Sequence, residues 1–176
     1  MKILDVEDAI LKRRSVRSYK NKGISREKLE KIMDCARMAP SANNRQDWKF
    51  VVVDDDVVKD RIYEVANRQG FVREAPVVIA GVTTDPKDIM SCGVPAGVVD
   101  LSIAMDHLAL KAADEGLGTC WIGAFNQEEA KEAIEIPEKY EVVALMTVGH
   151  PSRPLEAEEK NRKDLEEIIS YNTYTE

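Results

Sequence analysis

Pro76-Val77-Val78-Ile79-Ala80-Gly81-Val82 carries no charged and no polar side chain. A short apolar run rich in β-branched residues reads as a strand covered on both faces. Such a strand needs helices on either side of its sheet, and the neighbouring sequence supplies them. Residues 97–115 place Leu101, Ala104, Met105, Leu108 and Ala112 on one stripe, with Ile103 and Leu110 adding a second apolar side. That pattern predicts a helix buried nearly all round. Gly116-Leu117-Gly118 closes it as a left-handed C-terminal cap.

Working outward, residues 50–53, 119–124 and 141–148 read as further strands. Residues 5–12, 25–38, 57–66 and 126–134 read as helices. Asp5 and Ser25 stand where N-caps belong, and Asn126 followed by Glu129 has capping-box spacing. Asp54-Asp55-Asp56 reads as another cap rather than a metal site, because consecutive carboxylates point in different directions. The charged run 156–167 is expected to be solvated or weakly helical, and 168–174 alternates enough to suggest a last strand. With no repeat, low-complexity tract or linker, residues 1–176 are expected to form a single domain of packed α and β layers.

The chain has 176 residues, 44% of them hydrophobic and 32% charged, so one core can be filled. Its net charge of -7 argues against a nucleic-acid-binding face. No apolar run approaches the length of a membrane span, and the opening Met1-Lys2-Ile3-Leu4-Asp5 is unlike a signal peptide, so a cytoplasmic location is expected. Cys35, Cys92 and Cys120 form no C-x-x-C pair. Cys35 and Cys120 read as core residues, Cys92 as exposed, and His107 as a hydrogen-bonded structural histidine; no metal site is expected.

Against this acidic background Arg13-Arg14-Ser15-Val16-Arg17 stands out. Each guanidinium offers a fixed fork of donors that matches phosphate oxygens, and Ser15 adds a hydroxyl. Read alone, the cluster is either an anion clamp or a solvated basic patch. Two more polar stretches join it: the ten-residue loop from Ala39 to Trp48, longer than a simple connection needs, and Arg153 after the last buried strand. The dinucleotide and P-loop glycine signatures are missing, as is a nucleophile elbow. Polar anchors spread over loops suit a large cofactor that carries the chemistry itself.

Four segments, in order, resemble the FMN-dependent nitroreductase family: Arg13-Arg14-Ser15-Val16-Arg17-Ser18-Tyr19; Ala39-Pro40-Ser41-Ala42-Asn43-Asn44-Arg45-Gln46-Asp47-Trp48; Gly116-Leu117-Gly118-Thr119-Cys120-Trp121-Ile122-Gly123; and Gly149-His150-Pro151. The resemblance runs from Ile10 to about Tyr174. It implies an α+β fold, a three-layer α/β/α sandwich with a central, mostly antiparallel sheet and a C-terminal strand exchanged in a homodimer.

It also implies FMN, with Arg13, Arg14, Ser15 and Arg17 holding the phosphate and ribityl chain and Arg153 closing the phosphate. Pro40, Ser41 and Asn43 would cross the dimer interface to the partner's flavin, Gln69 would lie near the ring, and Ile122 and Gly123 would lie against its face. The implied activity is ping-pong transfer from NADH or NADPH, through the flavin N5, to a nitroaromatic, quinone or similar small-molecule acceptor, with no catalytic side chain. A flavin carrier, an electron relay, or a related-branch FMN enzyme such as a reductive dehalogenase are the other readings. The chain departs from the family pattern at Asp47, where proline is usual, and in a short 83–96 region where larger members carry a helical lid.

Overall fold

The computed structural model describes residues 5–157 and 160–175. The opening Met1 to Leu4 stretch and Glu158-Glu159 within the charged run lie outside the described residues. Four strands, β1 (Trp48–Val53), β2 (Val77–Thr83), β3 (Gly118–Ile122) and β4 (Glu141–Gly149), pair in the order β1-β2-β4-β3 with every pairing antiparallel. Every residue of β2 is buried, which the unbroken apolar run anticipates.

Alternate residues of the central strands feed two cores. Val77 and Ile79, beside Met146 and Val148, face α2 (Arg26–Arg37) and α5 (Ala96–Asp114). Val78 and Ala80, with Leu145 across from Ala80, face α3 (Asp56–Val65), α4 (Phe71–Glu74) and α6 (Gln127–Ala133). The result is three layers, helices on both sides of an antiparallel sheet, as period-two burial of a central strand demands. The remaining helix in the first part of the chain, α1 (Val6–Lys12), packs on α5.

The caps form as expected. Asp5, Ser25, Asp55 and Asn126 each accept a backbone N–H of the helix they precede, and Gly116 ends α5 at φ +73°. Asp56, inside the first turn of α3, pairs with the buried Lys59. The turn α4 is missed by periodicity, because four residues are too few to show any. Cys120 is buried and Cys92 exposed, but Cys35 is only half-buried, since the outer side of α2 is not covered.

At the C-terminus the expected strand over 168–174 is not formed within the chain. Residues Leu165–Ile168 make one helical turn, α7, and Leu165, Ile168, Tyr171 and Tyr174 are all exposed. A strand requires a neighbour to accept its ladder, and among the described residues this segment has none. No helix of the described residues is long and apolar enough to cross a membrane.

Candidate functional site

The arginine cluster leaves α1 as extended chain laid on the start of β3 and the end of β4. Ser15 bridges Thr119 in parallel fashion, Val16 N–H donates to Thr119 O at 2.8 Å, and Tyr19 bridges Pro151. Lys20 N–H donates to His150 O at 2.8 Å and Ser152 N–H to Ser18 O at 3.0 Å. The buried Tyr19 hydroxyl donates to Val16 O at 2.8 Å and lies 2.7 Å from Thr147 Oγ1. Burial holds the Tyr19 phenol well above its ordinary range, so it stays protonated.

This contact is close enough to exclude side chains beneath it. A Cβ on Gly118 would sit 2.5 to 2.9 Å from three carbons of Val16, and one on Gly149 would sit 2.6 Å from the Tyr19 ring and from Pro76. Two of the glycines in the sequence motifs are therefore spaces into which the clamp segment fits.

The segment separates two polar pockets. One, of about 320 Å³, is lined by Arg14, Ser15, Arg17 and Ser18 with Pro151, Ser152 and Arg153. The other, of about 240 Å³, has Arg13, Arg14 and Ser15 facing Glu156, Lys160 and Arg162. Arg14 also donates to Pro154 O at 2.9 Å. Arg13, Arg17 and Arg153 form no ion pair with a carboxylate among the described residues. Burial, then the charges of Arg13 and Arg162, pull the Lys160 ammonium below its ordinary range. Like charges gathered around one pocket are relieved by an anion, so the arrangement suits a phosphate.

Lys160 and Arg162 escape a sequence reading, because they sit in a charged run that looks solvated. Lys160 Nζ donates to Ile10 O at 2.5 Å and Arg13 O at 2.8 Å, closing the C-terminal end of α1 and drawing the tail onto the clamp. The signal available was a lysine and an arginine two apart within an acidic stretch. Under the clamp, burial raises the Cys120 thiol, while Arg17, a Ser15 hydrogen bond and Arg13 act against that rise.

Gly123 follows β3, four residues beyond Thr119 or about 13 Å along an extended chain. It is exposed, and a Cβ there would touch nothing within 4 Å, so a flat group has room beside the backbone. Ile122 is buried under it. The turn carrying Gln69 is tied to this region, for Asn67 donates to Ala124 O at 3.2 Å and Asn126 N–H to Val65 O at 3.1 Å. The Gln69 amide itself donates back to Ala66 O at 2.9 Å.

Pro40, Ser41 and Asn43 line neither polar pocket. Their loop lies at the Trp48 and Thr83 end of the sheet, whereas Thr119 and Pro151 lie at the Val77 end, about 20 Å away along the seven residues of β2. The loop is rigidly built even so. Ala42 N–H donates to the buried Asp100 carboxylate at 3.0 Å and Gln46 N–H to Ser41 Oγ at 3.0 Å. Asn43, Asn44 and Gln46 all take positive φ, which is costly without such anchors.

This geometry can be set beside known proteins. A model of the nitroreductase family matches residues 10–73 and 63–150. The chain belongs to the nitroreductase family. An Archaeoglobus fulgidus protein, whose name carries NADH dehydrogenase/NAD(P)H nitroreductase as a provisional assignment, is 34% identical over 81% of this chain and 83% of its own length. A nitroreductase family protein of Clostridium difficile 630 superposes with a TM-score of 0.86 at 30% identity, covering 98% of this chain and all of the other. An FMN-dependent nitroreductase of Clostridium difficile R20291 superposes with a TM-score of 0.80 at 27% identity, over 96% and 99% of the two chains. The four-stranded antiparallel sheet between helices is thus the nitroreductase fold.

Proposed function

We propose that this nitroreductase-family chain is, as one domain, an NAD(P)H-dependent FMN oxidoreductase acting on a nitroaromatic, quinone or similar small conjugated acceptor. The observation that carries the proposal is the Arg13 to Ser18 segment: in an acidic protein it lines two adjoining polar pockets that also gather Arg153, Lys160 and Arg162. The relatives agree, one being named an FMN-dependent nitroreductase and another an NAD(P)H nitroreductase.

The residues present fit FMN. Arg13, Arg14, Ser15 and Arg17 would hold the phosphate and ribityl chain, with Arg153 on the Arg14 side and Lys160 and Arg162 on the Arg13 side. Several charge-assisted hydrogen bonds, each contributing about 1.5 to 3 kcal/mol, retain a phosphate without a covalent link. Ile122 and Gly123 would back the ring, and Gln69 would reach its edge by leaving Ala66 O. Bound there, FMN supplies the redox chemistry between NADH or NADPH and the acceptor. The chain binds, orients and excludes water, and its positive charge favours a reduced, anionic cofactor.

A homodimer completes this reading. The loop bearing Pro40, Ser41 and Asn43 is too far from its own clamp and would cover the partner's flavin. Val6, Ile10, Leu11 and Met38 are exposed apolar side chains, three on α1 and one at the end of α2. A groove of about 420 Å³ between α1, α2 and α5 adds to that surface. The exposed tail from Leu165 to Tyr174 is placed to add a strand to a second copy. Three free cysteines suit a reducing compartment, which supports a cytoplasmic setting.

The test is the colour of the purified protein and its anaerobic response to NADH and NADPH. A yellow protein bleached by either nicotinamide meets the proposal. One that stays colourless after dialysis against FMN refutes the cofactor. One that stays yellow with both nicotinamides is a carrier or relay instead.

A further inference from the structure

The loop that would cover the partner's flavin is tied to a second loop that exposes apolar side chains. Residues 85–95 form a narrow strap between β2 and α5. Ile89 bridges Pro95, Met90 N–H donates to Val94 O at 2.9 Å, and Gly93 N–H donates to Met90 O at 2.8 Å with Gly93 at φ +88°. Its tip presents Ile89 and Val94 with about half of their surface exposed, although nothing in the fold requires apolar residues there.

The strap is fastened through Arg45. That guanidinium stands 3.3 Å from Asp47 and pairs through Nη2 with Asp88 at the base of the strap. The backbone reinforces both ends: Thr84 N–H donates to Asp47 O at 3.0 Å and Ala96 N–H to Asp88 O at 3.0 Å. One arginine therefore joins two loops that no strand or helix joins. Asp47, which stands where a proline is expected, is the residue that holds Arg45 from the other side. An aspartate keeps its N–H and adds a carboxylate, and proline would supply neither.

We propose that Arg45 and Asp88 are positioning residues that latch the 85–95 strap to the 39–47 loop, so that Ile89, Met90 and Val94 wall the acceptor site and favour flat apolar acceptors. The proposal rests on the flavin reading above, since it is the 39–47 loop that carries the strap to the ring. It assigns to a short strap the discrimination for which a helical lid would otherwise be needed. Release of a partly exposed ion pair changes an opening equilibrium about five-fold.

Two measurements on the flavin-loaded protein decide it. Trypsin cleavage after the exposed Lys87, followed by mass spectrometry, reads strap opening without any turnover. Re-oxidation of dithionite-reduced protein by 2-methyl-1,4-naphthoquinone or by ferricyanide reads discrimination, and needs neither nicotinamide. Arg45→Gln, which leaves the residues around Lys87 unchanged, should quicken cleavage there about five-fold and lower the naphthoquinone-to-ferricyanide rate ratio by a similar factor, with flavin content and melting temperature held; Asp88→Asn should lower the ratio by the same factor. Ile89→Ser should lower the ratio while leaving cleavage unchanged. Unchanged cleavage after Lys87 in Arg45→Gln, or an unchanged ratio in Asp88→Asn, overturns the latch, and an unchanged ratio in Ile89→Ser overturns the wall. Failure of both nicotinamides to bleach the flavin would sink the reductase reading alone, because neither measurement uses them.

Discussion

Gly118→Ala tests whether the clamp depends on its seat against β3. The added methyl would lie 2.5, 2.7 and 2.9 Å from Val16 Cγ2, Cβ and Cγ1. Comfortable carbon contacts need about 3.5 to 4.0 Å, so the segment must retreat by about 1 Å. That retreat would stretch the 2.8 Å bond from Val16 N–H to Thr119 O beyond hydrogen-bonding range. Overpacking costs about 1 to 3 kcal/mol and the lost bond about 0.5 to 1.5, giving about 1.5 to 4.5 kcal/mol in all. Because Arg13, Ser15 and Arg17 move with Val16, loss of one charge-assisted contact to the phosphate should weaken FMN binding about ten-fold. Urea unfolding of the flavin-free protein measures the first quantity and fluorescence titration with FMN the second. Val16→Ala removes two of the three clashing carbons, so the double variant should be about 1 kcal/mol more stable than the sum of the single effects. Strict additivity, or Gly118→Ala with wild-type stability and affinity, refutes the reasoning.

Tyr19→Phe deletes a hydroxyl shared between Val16 O and Thr147 Oγ1, and should cost about 1 to 2 kcal/mol by urea unfolding; Thr147 keeps a contact with Cys120 O, so adding Thr147→Val should cost little more. His150 is held below its ordinary range by burial and then by Lys22 and Lys28, so the unfolded chain takes up its proton first as the pH falls. Its contribution to stability is complete above about pH 6.5 and is lost below it. His150→Gln should therefore flatten the melting temperature between pH 7 and pH 5.5, and an unchanged pH profile would contradict this.

Local signals carried the helices and strands whose residues repeat with a clear period, and the caps at Asp5, Ser25, Asp55 and Asn126 set their starts. The short turn α4 and the tail were beyond them. Four residues show no period, and the alternation over 168–174 states only that the segment could pair, not that a neighbour is present. Lys160 and Arg162 were hidden for a related reason. A basic residue in an acidic run looks solvated until a distant pair of carbonyls, Ile10 O and Arg13 O, is found beneath it.

By itself the order of residues determined the central strand, the long helix after it and the chemistry of the Arg13 to Arg17 cluster, because these rest on side-chain type and on contacts a few residues apart. The fold alone decided which side each arginine serves, that Gly118 and Gly149 are seats for Val16 and Tyr19, and that Arg45 joins two loops. Those facts depend on groups brought together by β3 and β4 and by the start of α5. Proximity across so much chain is a property of packing, which no local pattern encodes.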